Sequence, residues 1–306
     1  MVLGIRPTVD FAFKKTFGSP ENVRALIGLL NAILKFPRPI EHVEIRNPFN
    51  YQEFAESKPI VLDIRCRDSS GLWLNVEIQV AAYLGMIQRL VYYACSMYVD
   101  QLERGQNYSK ATSAVSICLL GHRVFPETSQ AHHRFQMVDL ANGRELDRAI
   151  EVHTVELTKY NLDARTIRDC SEIEKWAFLL LKAQDCDADT LRELLPGEAF
   201  STAIQALETI SEKTEDKLMY DQREKAQRDY EWAMASVREE GIQQGIEQGI
   251  EQGIELGIGK GILAGKINIL QELLNRPVAP VIELCQLEEA VLHAMLTDLQ
   301  QELRSR

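Results

Sequence analysis

The sequence predicts an α/β domain with a mixed sheet flanked by helices, followed by an all-helical C-terminal region. In the first 160 residues, segments with a helical spacing of apolar residues alternate with short strand-like runs, as in domains whose helices cover a sheet. Later segments are charged and helical in period, and glycine recurs at every fourth position from 241 to 265. The expected divisions are a sheet domain at 1–160, a charged helical region at 161–240, the repeat at 241–266 and a helical segment at 267–306.

Two helices are expected at the N-terminus. The first begins after Thr8 as N-cap and ends near Gly18, since glycine favours helix ends. Its charged residues are Asp10, Lys14 and Lys15. The second begins with Ser19 as cap and Pro20 in the first helical position, and ends before Pro37.

Two neighbouring strands, 59–66 and 72–80, form the centre of the predicted sheet. The polar segment between them ends in Gly71, which is typical of a hairpin turn. Because strand side chains alternate between faces, Asp63 and Glu77 each point away from their apolar neighbours. Antiparallel pairing with both apolar faces on one core brings these two carboxylates together.

Two close carboxylates repel each other, and the repulsion is relieved by a raised pKa or by a bound divalent cation. Mg²⁺ suits this arrangement, because it takes one or two carboxylates and keeps several waters. The alternative is an ordinary half-buried strand whose polar face carries solvated carboxylates.

The rest of the domain continues the alternation of helices and strands. A helix is expected at 83–104, and its Arg89 can reach a phosphate or pair with an acidic neighbour. The nearly continuous apolar run 114–120 predicts a strand buried on both faces. Two more strands are expected at 134–140 and 150–157.

Composition restricts the class of protein. The chain has 306 residues, 45% of them apolar, and a net charge of −11, which allows a buried core but disfavours indiscriminate nucleic-acid binding. Residues 1–120 contain 13 Lys and Arg against 11 Asp and Glu, so this part tolerates a phosphate backbone best. No apolar run is long enough for a membrane span or resembles a secretion signal, so no membrane association is expected.

The cysteines and histidines give no metal pattern. The six cysteines include no Cys-x-x-Cys pair, which is typical of reduced core residues in an intracellular, cytoplasmic protein. His132, His133 and His153 fit no standard zinc-ligand spacing. We expect them to be hydrogen-bonded histidines of the surface or of loops.

Several short motifs occur in an order found in one nuclease family. They are Asp10-Phe11-Ala12-Phe13-Lys14, Leu62-Asp63-Ile64, Val76-Glu77-Ile78-Gln79, Arg89 with Tyr92-Tyr93, and Leu102-Glu103-Arg104-Gly105. The ordered set resembles the Rpn-type recombination-promoting nucleases, also labelled transposases, a branch of the PD-(D/E)XK nuclease superfamily. The resemblance covers residues 5–160 and implies a PD-(D/E)XK-like fold there.

The resemblance also implies a metal site for phosphodiester hydrolysis. Asp63, Glu77 and the main-chain carbonyl of Ile78 would hold Mg²⁺, with Mn²⁺ as a substitute. Gln79 takes the third motif position, where the wider superfamily commonly has lysine. A glutamine amide can orient water but supplies neither a positive charge nor a transferable proton.

Other residues are candidates for supporting roles. Lys14, Lys15 and Arg65 could supply the missing positive charge, and Arg89, Lys15 and Arg65 are candidate DNA contacts. Asp10 either adds a carboxylate to the outer shell of the metal or simply complements the helix dipole. The expected function is a Mg²⁺-dependent DNA endonuclease associated with recombination or mobile elements. The alternative is a catalytically weak nuclease-fold scaffold or an oligomerising interaction protein.

The glycine repeat is the most unusual part of the sequence. Every repeat glycine except the last precedes isoleucine, and a period of four exceeds the helical 3.6, so the stripe drifts around a helix or favours right-handed winding with a partner. Seven interior glycines remove roughly 7 kcal/mol of helix preference, which makes an isolated helix unfavourable. The repeat is therefore either a helical element that makes the protein a homo-oligomer or binds a partner, or a flexible tether.

Overall fold

The computed structural model describes residues 2–49, 64–80, 85–103, 105–146, 148–160 and 162–305. Its α-helices are α1 (Asp10–Phe17), α2 (Val23–Leu34), α3 (Met86–Val99), α4 (Glu172–Lys182), α5 (Ala188–Leu194), α6 (Glu198–Glu212), α7 (Thr214–Leu273), α8 (Val281–Gln286) and α9 (Glu289–Ser305). Its strands are β1 (Val43–Ile45), β2 (Ile64–Asp68), β3 (Trp73–Gln79), β4 (Ala114–Leu120), β5 (His132–Gln136) and β6 (Ile150–Glu156). The α/β class and the helical C-terminal region are confirmed.

The strands form one mixed sheet in the order β1-β2-β3-β4-β6-β5. β2 and β3 are antiparallel, with Ile64 opposite Val76. β4 is parallel to β3 on one side and to β6 on the other. Parallel neighbours need a crossover, which α3 supplies between β3 and β4. The carboxyl ends of β3 and β4, at Gln79 and Leu120, therefore lie side by side.

Different helices cover the two faces of the sheet. On one face, apolar side chains of β2, β3 and β4 join α1, α2, α4 and α6 in the main core. On the other face, α3 packs on β4 and β6. The contacts on this α3 face join Met86, Leu90 and Ala94 to Cys118, Leu120 and Val152. Because side chains alternate along β3, Asn75, Glu77 and Gln79 lie on the α3 face.

The first helices start later than expected. The N-cap of α1 is Val9, whose backbone is extended, and not Thr8. The segment Pro20–Asn22 forms a 3₁₀ turn, so α2 begins only at Val23. A proline fixes the first turn of a helix without donating a hydrogen bond, which suits a short turn before the regular helix.

Other boundaries also moved. β2 continues through Asp68, whose carboxylate accepts main-chain N–H groups across the turn and so belongs to both strand and turn. α3 ends at Val99, five residues before the expected end at 104. The next strand covers 132–136 and not 134–140, because its hydrogen-bonded register with β6 fixes its limits.

The first compact unit extends past the expected boundary at residue 160. The chain divides into units 1–231 and 232–306. Trp176 of α4 and Leu207 of α6 lie in the same core as α1 and α2. Helices that follow β6 thus complete the cover of one sheet face, and the 1–160 segment does not enclose that core alone.

The repeat lies in the helical part of the second unit, within α7. Its isoleucines are 52–60% exposed, and a Cβ placed on any repeat glycine would meet no described atom within 4 Å. The sequence predicts that an isolated helix is unfavourable here, because the seven glycines cost roughly 7 kcal/mol of helix preference. Residues 241–258 are nevertheless helical and exposed, and among the described residues the repeat is packed only near its end, at Leu263 and Ala264.

The end of α7 packs with α8 and α9 in a small core of its own. This core is formed by Leu263, Ala264, Ile267, Leu274, Leu284, Leu292, Leu296 and Leu299. Within the described ranges, no helix combines the length and the apolar character that crossing a bilayer requires.

Candidate functional site

Glu77 lies on the central strand β3, on the face that α3 covers. The residue is only 1% exposed, and Asn75 Nδ2 donates a hydrogen bond to Glu77 Oε1 at 2.8 Å. Burial removes a carboxylate from water, so the charge needs hydrogen bonds or a cation. The alternative interpretation of Glu77 as a solvated residue on a polar strand face is therefore wrong.

Several polar atoms on the same face have no hydrogen-bond partner among the described residues. They are Asn75 Oδ1, Gln79 Nε2, Ser116 Oγ and Thr154 Oγ1. Buried polar atoms are nearly always hydrogen-bonded, so a group of exceptions indicates a place for water or an ion. Hard cations such as Mg²⁺ take carboxylate, amide and hydroxyl oxygens, so the oxygen donors beside Glu77 fit this ion.

The main-chain carbonyl of Ile78 faces away from β4. The carbonyl of Gln79 accepts a hydrogen bond at 2.9 Å from the N–H of Gly121, the residue that follows β4. Successive carbonyls along a strand point to opposite sides, so the carbonyl of Ile78 points the other way. Among the described residues, β2 pairs with β3 only as far as Val76. The Ile78 carbonyl therefore points to the side of β3 on which β2 lies.

Asp63 itself lies outside the described residues. β2 begins at the next residue, Ile64, whose partner Val76 immediately precedes Glu77. The role of Asp63 remains a prediction. In the described part of the chain, no three His, Cys, Asp or Glu side chains are grouped to hold a metal ion, so a centre at Glu77 needs a further ligand.

Arg89 of α3 lies near the same part of the sheet. Its Nε donates to the hydroxyl of Tyr93 at 2.9 Å, and its guanidinium stands 5.1 Å from the centre of that ring. Burial raises the pKa of the Cys118 thiol well above its usual value, Glu77 raises it further, and Arg89 lowers it. The charges of Glu77 and Arg89 both act on Cys118, which lies opposite Glu77 in the register of β3 and β4. Arg89 is therefore a basic group within electrostatic range of the site.

Basic side chains line the α3 face of β1 and β2. Arg65 and Arg67 are exposed and alternate along β2 with buried core residues. The guanidinium groups of Arg46 and Arg67 lie 5.8 and 5.7 Å from the centre of the Trp73 ring. Arg65 stands opposite Asn75 in the register of β2 and β3. This surface carries the charge that phosphate contacts require.

Two of the three charged candidates on α1 pair with the first turns of α7. Asp10 Oδ2 lies 3.5 Å from Arg223 Nη1; burial raises the pKa of Asp10, and Arg223 opposes that rise. Lys15 Nζ lies 2.5 Å from Asp216 Oδ1. Lys14 is half-buried in the last turn of α1. Asp10 and Lys15 thus have a structural role beside the predicted catalytic one.

His122 is a candidate that the sequence alone does not single out. It follows the end of β4, and its Nδ1 lies 3.3 Å from the carbonyl oxygen of Val80. Its Nε2 is buried without a hydrogen-bond partner among the described residues. The signal that could have identified it is its place at the carboxyl end of a parallel strand, where open α/β sheets bind ligands.

All three histidines expected in loops or on the surface lie on strands, His132 and His133 on β5 and His153 on β6. His132 Nε2 and His153 Nδ1 are 2.8 Å apart, and His153 Nε2 donates to Glu151 Oε1 at 2.6 Å. Arg134 donates two further hydrogen bonds to Glu151. Glu151 and His153 are buried, and their cluster lies on the face opposite α3, so it is separate from Glu77.

Comparison with known proteins gives one family. A family model described as PD-(D/E)XK nuclease family transposase matches residues 7–236. The match continues past residue 160 into α7, as does the main core. No curated protein and no solved structure matches the chain.

Proposed function

The chain belongs to the PD-(D/E)XK nuclease family transposases, and from this premise we propose that it is a Mg²⁺-dependent DNA endonuclease serving recombination or mobile-element movement. The reaction is hydrolysis of a phosphodiester bond. The observation that carries the proposal is the fully buried Glu77, surrounded on its sheet face by unsatisfied polar atoms. We place the activity in the cytoplasm, since all six cysteines are free thiols.

In this proposal Asp63, Glu77 and the Ile78 carbonyl hold the divalent ion. A metal bound there would polarise the phosphoryl oxygen and lower the pKa of a bound water, which provides a nucleophile at neutral pH. The unsatisfied oxygens of Asn75 and Ser116 support the proposal, because they offer hydrogen-bond acceptors to waters of the metal.

The other residues bind and orient the substrate. The amide of Gln79 has a buried Nε2 without a described partner, which can donate a hydrogen bond to a phosphate or water oxygen. Arg65 and Arg67 extend the site toward the DNA backbone, and Arg89 adds positive charge from α3. Asp10 and Lys15 keep their proposed supporting roles in addition to their salt bridges.

Cleavage of supercoiled plasmid by the purified full chain tests the proposal. We expect cutting with Mg²⁺ or Mn²⁺ and none with EDTA. Asp63→Ala and Glu77→Gln should lower the rate more than about 100-fold, because each removes a ligand of the catalytic ion. Their circular dichroism spectra should match that of the wild type.

Glu44→Gln is the matched control, since Glu44 is an exposed carboxylate of the same sheet, 2.7 Å from Arg46. It should cut at the wild-type rate. Undiminished cutting by purified Asp63→Ala would refute the metal assignment, and wild-type cutting in EDTA would refute the dependence on metal.

The second candidate function is a scaffold or oligomerising protein with little catalysis, favoured by the exposed isoleucine stripe of the repeat. In either case we propose that the repeat binds a second copy of the chain. On a helix of 100° per residue, glycine and isoleucine share one stripe. The glutamates that follow Ile246, Ile250 and Ile254 point about 150° from the centre of that stripe. Two copies can thus join their stripes while Glu247, Glu251 and Glu255 remain in solvent.

A further inference from the structure

The inference concerns His122 and rests on the proposed nuclease function. Gly121 N–H bonds to the carbonyl of Gln79 at 2.9 Å, and the His122 imidazole lies against the carbonyl of Val80. The ring therefore contacts the main chain at Val80, the residue that follows Gln79. It lies at the carboxyl end of the two parallel strands, one of which carries Glu77.

The contact with Val80 fixes the tautomer of the ring. A main-chain carbonyl only accepts hydrogen bonds, so the contact is a bond only when Nδ1 carries the proton. Nε2 then presents a lone pair. This nitrogen is buried and has no hydrogen-bond partner among the described residues, so the lone pair is directed into a place that a ligand or water has to satisfy.

The charge state of the ring agrees with this geometry. Burial lowers the pKa of His122, while the bond to Val80 and the carboxylate of Glu156 raise it less. Glu156 faces the ring from β6 and is itself paired with Lys159. The imidazole is thus neutral near pH 7, and its lone pair is free to take a proton.

The other ionisable groups at this end of the sheet are not suited to that task. Glu156 accepts hydrogen bonds from the main-chain N–H groups of Val124 and Phe125 in addition to its ion pair. Burial holds the pKa of the Cys118 thiol well above its usual value, so it stays protonated. An arginine such as Arg89 does not lose its proton in proteins.

We propose that Nε2 of His122 accepts the proton of the water that attacks the phosphodiester. The water oxygen forms a bond to phosphorus as the bond from phosphorus to the leaving oxygen breaks. One proton of the water passes to Nε2, and the leaving oxygen takes a proton from solvent. His122 then returns its proton to solvent. Gln79 beside it orients the water but cannot accept its proton.

Two variants separate proton transfer from structure. His122→Asn keeps an amide N–H near the position of Nδ1, and so the bond to Val80, but lacks Nε2. His122→Gln places an oxygen near the position of Nε2 that accepts a hydrogen bond but not a proton. We expect both to lower the single-turnover cleavage rate about 100- to 10,000-fold with DNA affinity unchanged. We also expect both to lack the acid limb of the wild-type pH–rate profile.

His293→Asn is the control, since His293 lies on α9 in the second unit with an exposed side chain. It should cut at the wild-type rate. A readout independent of activity is nitrogen-15 NMR of the wild-type chain, which should show the Nδ1–H tautomer of His122 at pH 7. Circular dichroism checks that each variant is folded.

The possible outcomes are distinct. If the wild type cuts and His122→Asn cuts as fast, or if His122→Gln retains the rate, proton transfer to His122 is wrong while the nuclease assignment stands. An Nε2–H tautomer also overturns the role. If the wild type cleaves no nucleic acid with Mg²⁺ or Mn²⁺, the proposed function fails, and the role of His122 fails with it.

Discussion

At the residue scale, β5 and β6 share a cluster of hydrogen-bonded polar side chains, of which Glu151 and His153 are buried. Burial alone would raise the pKa of Glu151, but hydrogen bonds from His153 and Arg134 hold it at about 2. Burial, followed by the electrostatic interaction with the neighbouring His153, lowers the pKa of His132 to about 4. His132 is therefore neutral in the folded chain under conditions where it would be charged in the unfolded chain.

This difference predicts a pH-dependent stability. Between pH 6.5 and about 4, the unfolded chain binds a proton at His132 and the folded chain does not, so the free energy of unfolding falls as the pH falls. This window corresponds to roughly 3 kcal/mol, and solvent screening of the partly exposed ring reduces the loss to on the order of 2 kcal/mol. Glu151 contributes in a lower window, because its stabilisation is lost only as the pH falls from 4.5 through about 2.

Urea unfolding of the wild type and of His132→Gln between pH 5 and 7 tests this. The variant keeps a donor for His153 Nδ1 but has no proton to bind, so its stability should depend less on pH. His293→Gln, at an exposed histidine, should behave like the wild type. Equal slopes for the wild type and His132→Gln would contradict the prediction.

At the element scale, α2 packs tightly against α6 at Gly28. A Cβ built on Gly28 would lie 2.5 Å from Ala199 Cβ, closer than real Cβ atoms approach, and 3.0 Å from Trp176 Cζ2, which is a tight contact. All three residues belong to helices of the main core, so the crossing cannot separate without loss of packing. Glycine is required here by space and not by backbone conformation.

Gly28→Ala should therefore lower the free energy of unfolding by about 1–3 kcal/mol, although alanine is the better helix former. The measurement is urea unfolding followed by tryptophan fluorescence. Ala199→Gly removes the nearest atom, so the double variant should regain part of the loss. A Gly28→Ala protein as stable as the wild type would show that the helices can move apart at no cost.

Local sequence patterns predict the strands of the sheet better than they predict which other elements pack against those strands. The alternation of β3 and the apolar run of β4 were sufficient to predict strands, because the period of two is a local property. The burial of Glu77 depends on α3 packing over β4 and β6, which the sequence of β3 does not contain. The role of Gly28 depends on α6, some 170 residues later, and the sequence alone gives no sign of it.

The candidate site was predictable only where motif and strand coincide. Glu77, Ile78 and Gln79 were found from the strand pattern and the family resemblance. Arg223, the partner of Asp10, belongs to a charge-rich helix, and the sequence pattern of that helix does not indicate which of its charges pairs with α1. His122 stands just after β4, and its significance depends on the parallel pairing that brings it beside Val80.

At the scale of the whole molecule, the exposed repeat predicts association of the full chain. Ile246→Glu with Ile250→Glu puts two charges into the stripe and should reduce the mass measured by light scattering to that of one chain. Gln248→Glu with Gln252→Glu adds the same charge about 110° away and should leave the mass unchanged. A wild-type protein that already has the mass of one chain would contradict the second-copy proposal.

The central position of β4 has a consequence for exchange with solvent. All seven residues are buried, and β3 and β6 occupy both edges of the strand. No local opening at a sheet edge can expose its amide hydrogens, so deuterium enters β4 only when the first unit unfolds as a whole. The isotope uptake of this one segment therefore reports the global unfolding free energy of that unit under native conditions.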